Sequence, residues 1–137
     1  MGRHAAERPT LFLVEDEEDT ANLISMIMGK QGYHIVHAAD GRQGLRLIKS
    51  IPPPSLVLLD ILLPYVDGVK LLNHIRRARP DWEDVPVVML SAVNSARDIR
   101  EAVTLGANDY ILKPFQQEAL VARLQRFRFQ GSAKPDP

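Results

Sequence analysis

Five short apolar runs recur along the chain, and each gives way to a polar or turn-rich stretch and then to apolar residues at helical spacing. The runs are Thr10–Val14, His34–Ala38, Leu56–Asp60, residues 86–90 and Asp109–Leu112. Leu56–Asp60 has no helical period, and such a continuous run predicts a strand buried on both faces in the middle of a parallel sheet. Pro52, Pro53 and Pro54 forbid a helix there and deliver the chain, extended, into that strand. Pro64 and the Asp67-Gly68 pair close it with a loop. Between the runs, Leu23, Ile24, Ile27 and Met28 predict a first helix, with an acidic first turn and a glycine stop at Gly32. Leu45, Leu47 and Ile48 follow the Asp40-Gly41 turn signal. Val69, Leu71, Leu72 and Ile75 form a third apolar stripe, opposed by Lys70, His74, Arg76 and Arg77, and that helix ends near Arg79-Pro80. The loop at 81–84 is longer than a tight connection needs. Ser95 and Asp98 have capping-box spacing before Ile99, Ala102 and Val103. A last helix carries Leu120, Val121, Leu124 and Phe127 on one face. Strand and helix thus alternate five times, which predicts an α/β fold with a parallel sheet covered by helices on both faces. The pattern does not set the strand order.

Composition narrows the picture without changing it. A chain of 137 residues is one domain's worth and can bury a core without staples. We expect a domain over residues 10–130, an N-terminal arm over 1–9 and a tail or linker stub over 131–137. Seventeen Lys and Arg balance seventeen Asp and Glu, so bulk charge points to neither nucleic acid nor membrane. Zero cysteines exclude disulfides and thiolate metal sites and suit a reducing cytoplasm. No apolar run reaches the roughly 18 residues of a membrane span, and the first ten residues lack the apolar core of a signal peptide.

The chemistry gathers at strand ends. Glu15 and Asp16 follow the first run, Asp60 ends the third, Ser91 follows the fourth and Lys113 follows the fifth. In a parallel sheet these ends share one edge, where α/β folds bind ligands. Three carboxylates there would repel one another unless a hard divalent cation sat among them, and an all-oxygen set suits Mg²⁺. Lys113 and Ser91 would then hold an anion, and a carboxylate can act as the nucleophile that forms an acyl phosphate. Metal, ammonium and hydroxyl around a phosphoryl group supply what phosphoryl transfer requires.

Four segments in order carry a resemblance: Leu13-Val14-Glu15-Asp16-Glu17, the stretch from Leu58 through Asp60 and Pro64 to Gly68, Val88-Met89-Leu90-Ser91-Ala92, and Gly106-Ala107-Asn108-Asp109-Tyr110-Ile111-Leu112-Lys113-Pro114-Phe115. With them the chain resembles the receiver domains of two-component response regulators, from Leu11 to about Phe127. The resemblance implies a flavodoxin-like (βα)5 fold with strand order 2-1-3-4-5. It implies that Asp60 accepts a phosphoryl group from a phosphohistidine on a histidine kinase or histidine phosphotransfer protein. Asp16, Asp60 and the backbone carbonyl of Leu62 would ligate Mg²⁺, with Glu15 assisting through water and Lys113 contacting the phosphoryl group. Ser91 would swing toward that group and Tyr110 would turn inward, altering the surface of the fourth helix, fifth strand and fifth helix. That surface would act on an effector protein or on an output domain outside these residues. The implied activity is self-catalysed transfer and autodephosphorylation in a cytoplasmic phosphorelay, not enzymatic turnover of a separate substrate.

Departures from the family pattern add expectations. Leu62 and Val93, each two residues beyond a site residue, are apolar and unable to orient water, which predicts slow self-dephosphorylation. Asp109 and Arg123 resemble part of a dimerisation charge set through the same surface, which Asn108 and Ala119 break. Two other classes compete. An aspartyl-phosphate phosphatase would need an acid where Leu62 stands. A pseudo-receiver scaffold, never phosphorylated, is disfavoured by the complete acid set with Ser91 and Lys113. Asp60, Ser91 and Tyr110 each have a competing bland reading, as a turn cap, a turn residue and core packing respectively, and the matching carboxylates and lysine outweigh the first. Glu17, Glu18 and Asp19 read as a solvated helix start. His34, His37 and His74 read as surface or strand residues, and Arg123, Arg126 and Arg128 as a solvated helix face with no nucleic-acid role.

Overall fold

The computed structural model describes residues 8–92 and 95–132. The elements alternate as the apolar pattern requires: β1 (Thr10–Val14), α1 (Glu18–Lys30), β2 (His34–Ala38), α2 (Gly41–Ser50), β3 (Leu56–Asp60), α3 (Gly68–Ala78), β4 (Val87–Ser91), α4 (Ala96–Thr104), β5 (Asp109–Leu112) and α5 (Gln117–Ser132). All neighbouring strands pair in parallel, in the order β2-β1-β3-β4-β5. This is the order that the resemblance implies. β3 and β4 are buried at every position, as central strands covered on both faces must be.

Two apolar cores flank the sheet because side chains alternate along each strand. Phe12, Val14, Val57, Leu59, Val87 and Met89 face α2, α3 and α4, where Ile48, Leu71, Leu72, Ile75 and Ala102 meet them. Leu11, Leu13, Leu56, Leu58, Val88 and Leu90 face α1 and α5, where Ile24, Ile27, Met28, Leu120, Leu124 and Phe127 close the layer. Two positions on the expected helix stripes lie outside these cores: Leu23 of α1 is 42% exposed and Val103 of α4 is 54% exposed. In α1 the small Ala21 takes the buried position instead. Strand β4 also extends one residue further than its apolar run, to Ser91 itself.

Helix starts and stops obey local chemistry. Asp40, Asp67 and Ser95 cap α2, α3 and α4 by accepting backbone N–H groups of Gln43, Lys70 and Asp98. Gly32, just past α1, has φ 97°, the left-handed conformation that glycine adopts without a Cβ clash.

The long loop after α3 has a structural purpose. A 3-10 turn, Pro80–Trp82, plants Trp82 fully inside the core, edge-on to Phe12 with ring centroids 6.1 Å apart. Around it, Arg76 departs from the polar face assigned to it by periodicity. Its guanidinium donates to the carbonyls of Gly106 (3.0 and 3.1 Å) and Trp82 (3.0 Å), and to Asn108 Oδ1 (3.0 Å). Asn108 Oδ1 also accepts the Val87 N–H at 2.8 Å. Arg79 similarly donates to the carbonyls of Ile48 (2.6 Å) and Ile51 (3.1 Å) while pairing with Asp81. Two arginines at the end of α3 thereby tie together the loops that feed β3, β4 and β5. No helix of the described residues is long and apolar enough to cross a membrane.

Candidate functional site

The carboxyl ends of β1, β3, β4 and β5 converge on a cleft of about 360 Å³ lined by Glu15, Asp16, Asp60, Ser91 and Lys113, with Glu17, Leu62 and Ala92 at its rim. All five strand-end residues singled out in the sequence therefore meet. A larger groove of about 510 Å³ runs along α2 by Asp40, Arg42, Arg46 and Lys49, but it has a single carboxylate among its lining residues and none of the strand-end groups.

Register brings the groups together. Val14 pairs with Leu59 across β1 and β3, so Glu15 and Asp60 leave adjacent strand ends. Ser91 pairs with Leu112 across β4 and β5, and the Lys113 N–H donates to the Ser91 carbonyl at 3.0 Å. That bond carries Lys113 past the sheet edge and over the cleft, before a cis peptide to Pro114. Gly68, at the start of α3, lies so close to the Asp60 carbonyl that a Cβ would collide with it, and its N–H donates to Ile61 O at 2.8 Å.

Lys113 Nζ bridges two buried carboxylates, 2.7 Å from Asp60 Oδ2 and 2.9 Å from Glu15 Oε1. Asp60 is 4% exposed and Glu15 is 1% exposed, whereas Asp16 faces solvent. Asp60 Oδ1 accepts the Leu62 N–H at 3.2 Å, and Glu15 Oε2 accepts the Glu17 N–H at 3.1 Å. Burial pushes the Glu15 carboxyl above its ordinary value, against the lowering effect of Lys113 and the Glu17 amide. Burial alone would lower Lys113, but its hydrogen bonds to Asp60 and Glu15 prevail and hold the ammonium above its ordinary value. Glu15 is thus also a direct partner of Lys113. His37, read as a plain surface or strand residue, hydrogen-bonds through Nε2 to the Glu15 carbonyl at 2.8 Å.

The same cleft fits a hard cation. Carboxylate oxygens of Glu15, Asp16 and Asp60 lie within 4.8 Å of one another. Glu15 Oε1 is buried and shares the Lys113 ammonium with Asp60 Oδ2, with no second donor on it among the described residues. A buried acceptor with an unfilled direction, beside two more carboxylates, is the donor chemistry that Mg²⁺ takes.

Ser91 is fully buried at the cleft wall. Tyr110 is also buried, at 8% exposure. Its phenol is raised above its ordinary value by burial and then by the charge of Asp98, and a hydrogen bond with Ser91 partly offsets this. Val93, paired with Leu62 in the sequence reading, lies outside the described residues. Leu62 itself is 62% exposed beside Asp60. Asp109 pairs within the chain, 3.3 Å from Arg123 Nε and 3.5 Å from Arg126 Nη1.

Comparison with known proteins points the same way. Residues 11–125 match the family model described as the response regulator receiver domain. The chain is 33% identical over 123 residues to the transcriptional regulatory protein AfsQ1 of Streptomyces coelicolor, covering 90% of this chain and 52% of that protein. It is 39% identical over 114 residues to the uncharacterized transcriptional regulatory protein YcbL of Bacillus subtilis, covering 83% and 48%. The chain spans about half the length of these curated relatives. Among solved structures, it is similar to the receiver domain of the sensor histidine kinase PA1611 from Pseudomonas aeruginosa, which has a magnesium ion coordinated in its active site cleft. That match has a TM-score of 0.78 at 30% identity and covers 88% of this chain and 98% of that one.

Proposed function

The chain belongs to the receiver-domain family of two-component response regulators, and from that premise we propose that Asp60 is its phosphoacceptor. The supporting observation is the bridge of Lys113 between Asp60 and Glu15, in a cleft where three carboxylates converge. In the proposed transfer an Asp60 carboxylate oxygen attacks the phosphorus of a phosphohistidine. The new bond is O–P, the P–N bond breaks, and its electron pair leaves on the imidazole nitrogen. Lys113 then exchanges a carboxylate partner for a phosphoryl oxygen, an exchange between anions that keeps its charge paired. Ser91 supplies a hydroxyl donor from the opposite wall.

Glu15, Asp16, Asp60 and the Leu62 carbonyl would hold Mg²⁺, with Glu15 acting directly or through water. When bound, this ion supplies positive charge that neutralises the phosphoryl oxygens. Leu62 offers no group to orient water, which favours a long-lived acyl phosphate.

The proposed output is a population shift. Phosphorylation pulls Ser91 toward the new anion, the Ser91–Tyr110 hydrogen bond is redistributed, and the α4-β5-α5 surface changes. Nearly complete conversion needs about 5 kcal/mol of differential stabilisation. Val103 and Leu112, 54% and 44% exposed, put apolar area on that surface for an effector, an output domain or a second copy. The domain proposed to carry this activity spans 10–130; α5 continues to Ser132, two residues into the segment expected to be a tail, and residues 1–7 and 133–137 lie outside the described residues. Its donor is a histidine kinase or phosphotransfer protein in the cytoplasm. The regulatory names of AfsQ1 and YcbL favour a transcriptional output beyond these residues.

Intact-mass spectrometry after incubation with acetyl phosphate and Mg²⁺ tests the acceptor. One added phosphoryl group is expected, absent in Asp60→Asn and absent with chelator. An unmodified wild type would favour the pseudo-receiver scaffold.

A further inference from the structure

Tyr65 occupies an expensive position. It has φ 73°, in the left-handed region that L side chains with a Cβ avoid, and at 68% exposure burial offers little in return. Its ring has one close partner: the Arg42 guanidinium lies 3.8 Å from the ring centroid, well inside the roughly 6 Å range of cation–π attraction. Arg42 forms no ion pair among the described residues, so the tyrosine face is its principal contact.

Both partners stand on fixed ground. Arg42 is the second residue of α2, whose start is held by Asp40 accepting the Gln43 N–H and by Gln43 Oε1 accepting the Ala39 N–H, both at 2.9 Å. Next to it, the Gly41 N–H donates to Pro64 O at 3.1 Å, and a Cβ at Gly41 would collide with the Val66 carbonyl. Residues 61–67, the loop from β3 to α3, are thus closed onto α2 at Pro64, Tyr65 and Val66. On their other side they are closed onto the strand end, where Gly68 N–H meets Ile61 O and Leu62 N–H meets Asp60 Oδ1. The loop that carries the Leu62 backbone is therefore anchored at one end by Asp60 and at the other by α2.

We propose that Arg42, through its stack on Tyr65, is a positioning residue that fixes the 61–67 loop and hence the Leu62 backbone beside Asp60. Its effect on metal and phosphoryl chemistry rests on the function proposed above; the mechanical clamp does not. Removing the guanidinium leaves the backbone hydrogen bonds at Pro64 and Ile61 to hold the strained Tyr65 without its ring contact, so the loop more often samples conformations in which Leu62 is displaced from the acceptor.

Amide hydrogen exchange of the metal-free protein reads the clamp directly. In Arg42→Ala, and in Tyr65→Leu, the Gly41 and Leu62 amides are expected to exchange about fivefold faster, while Leu13 in β1 keeps its rate. The double variant should be no faster than either single one, and Arg42→Lys and Tyr65→Phe, which retain a cation and a π face, should stay near wild type. With acetyl phosphate, Arg42→Ala should need severalfold more Mg²⁺ for half-maximal modification at an unchanged limiting rate. Unchanged Gly41 and Leu62 exchange in Arg42→Ala would overturn the proposal, as would additive effects in the double variant or acceleration extending to Leu13. A wild type that acetyl phosphate leaves unmodified would sink the acceptor reading alone, with the exchange rates still deciding the clamp.

Discussion

Partly buried cations sit at both edges of the sheet, and the two edges use them differently. At the amino ends of β3, β4 and β5, Arg76 donates chiefly to the Gly106 and Trp82 carbonyls, and Arg79 divides its donors between the Ile48 and Ile51 carbonyls and the exposed Asp81 carboxylate. At the carboxyl ends, Lys113 faces two buried carboxylates. Carbonyls, joined for Arg79 by one exposed carboxylate, satisfy these guanidiniums without leaving excess negative charge, so the first arrangement has no reason to change. Three carboxylates around one ammonium leave excess negative charge and an unfilled acceptor on Glu15. That edge carries the charge imbalance on which the proposed cation binding rests. A charge held by neutral dipoles fastens the fold, and a charge held among unbalanced charges is available for chemistry.

Substitutions at the two edges should separate these roles. The largest effect is expected for Asp60→Asn, which should abolish modification by acetyl phosphate while urea unfolding shows a native-like fold. If that variant were modified to the wild-type extent, the carboxyl edge would lose its assigned chemistry. Arg76→Ala should lower the unfolding free energy by about 3 kcal/mol, because it strips donors from partly buried carbonyls. Modification per folded molecule should be kept. A stability loss below about 0.5 kcal/mol, the range of ordinary surface substitutions, would show that the amino edge is not fastened by this arginine. Leu62→Asn should then shorten the lifetime of the modified protein on the order of tenfold, measured as the decay of the added mass after the donor is removed. An unaltered lifetime would mean that Leu62 is not the brake.

The smallest expected effect concerns pH. Because Lys113 binds its proton more tightly folded than unfolded, its stabilisation is complete below its unfolded value of 10.5 and is lost as pH rises through the higher folded value. In chelator, wild type should therefore lose stability more steeply above that value than Lys113→Met does. Equal slopes would place the lysine in solvent-like surroundings.

Much of the carboxyl edge was legible in the chain. Acidic, hydroxyl and ammonium residues ending apolar runs can converge only if the runs lie parallel, and strand-helix alternation predicts that they do. Glu15, Asp16, Asp60, Ser91 and Lys113 line one cleft accordingly. The amino edge was not legible. Arg76 falls on the polar stripe of α3 by periodicity, yet its long side chain reaches the loop before β4 and, 30 or more residues distant in sequence, the loop before β5. Helical period reports the direction of a Cβ and says nothing of where five further atoms end. The same limit hid Trp82, whose burial depends on a turn that no apolar pattern marks, and the Arg42–Tyr65 stack, whose partners are 23 positions apart along the chain.

The sequence by itself determined the α/β alternation, the two-sided burial of β3 and β4 and the identity of the strand-end groups. Period, propensity and capping are local, and they act within a few residues. Only the tertiary structure decided that Lys113 bridges Asp60 and Glu15, that Tyr110 is buried with its phenol hydrogen-bonded to Ser91, and that α2 closes on the loop beside Asp60. Each of these depends on register and packing between distant segments, where a few tenths of an ångström separate an ion pair from a gap.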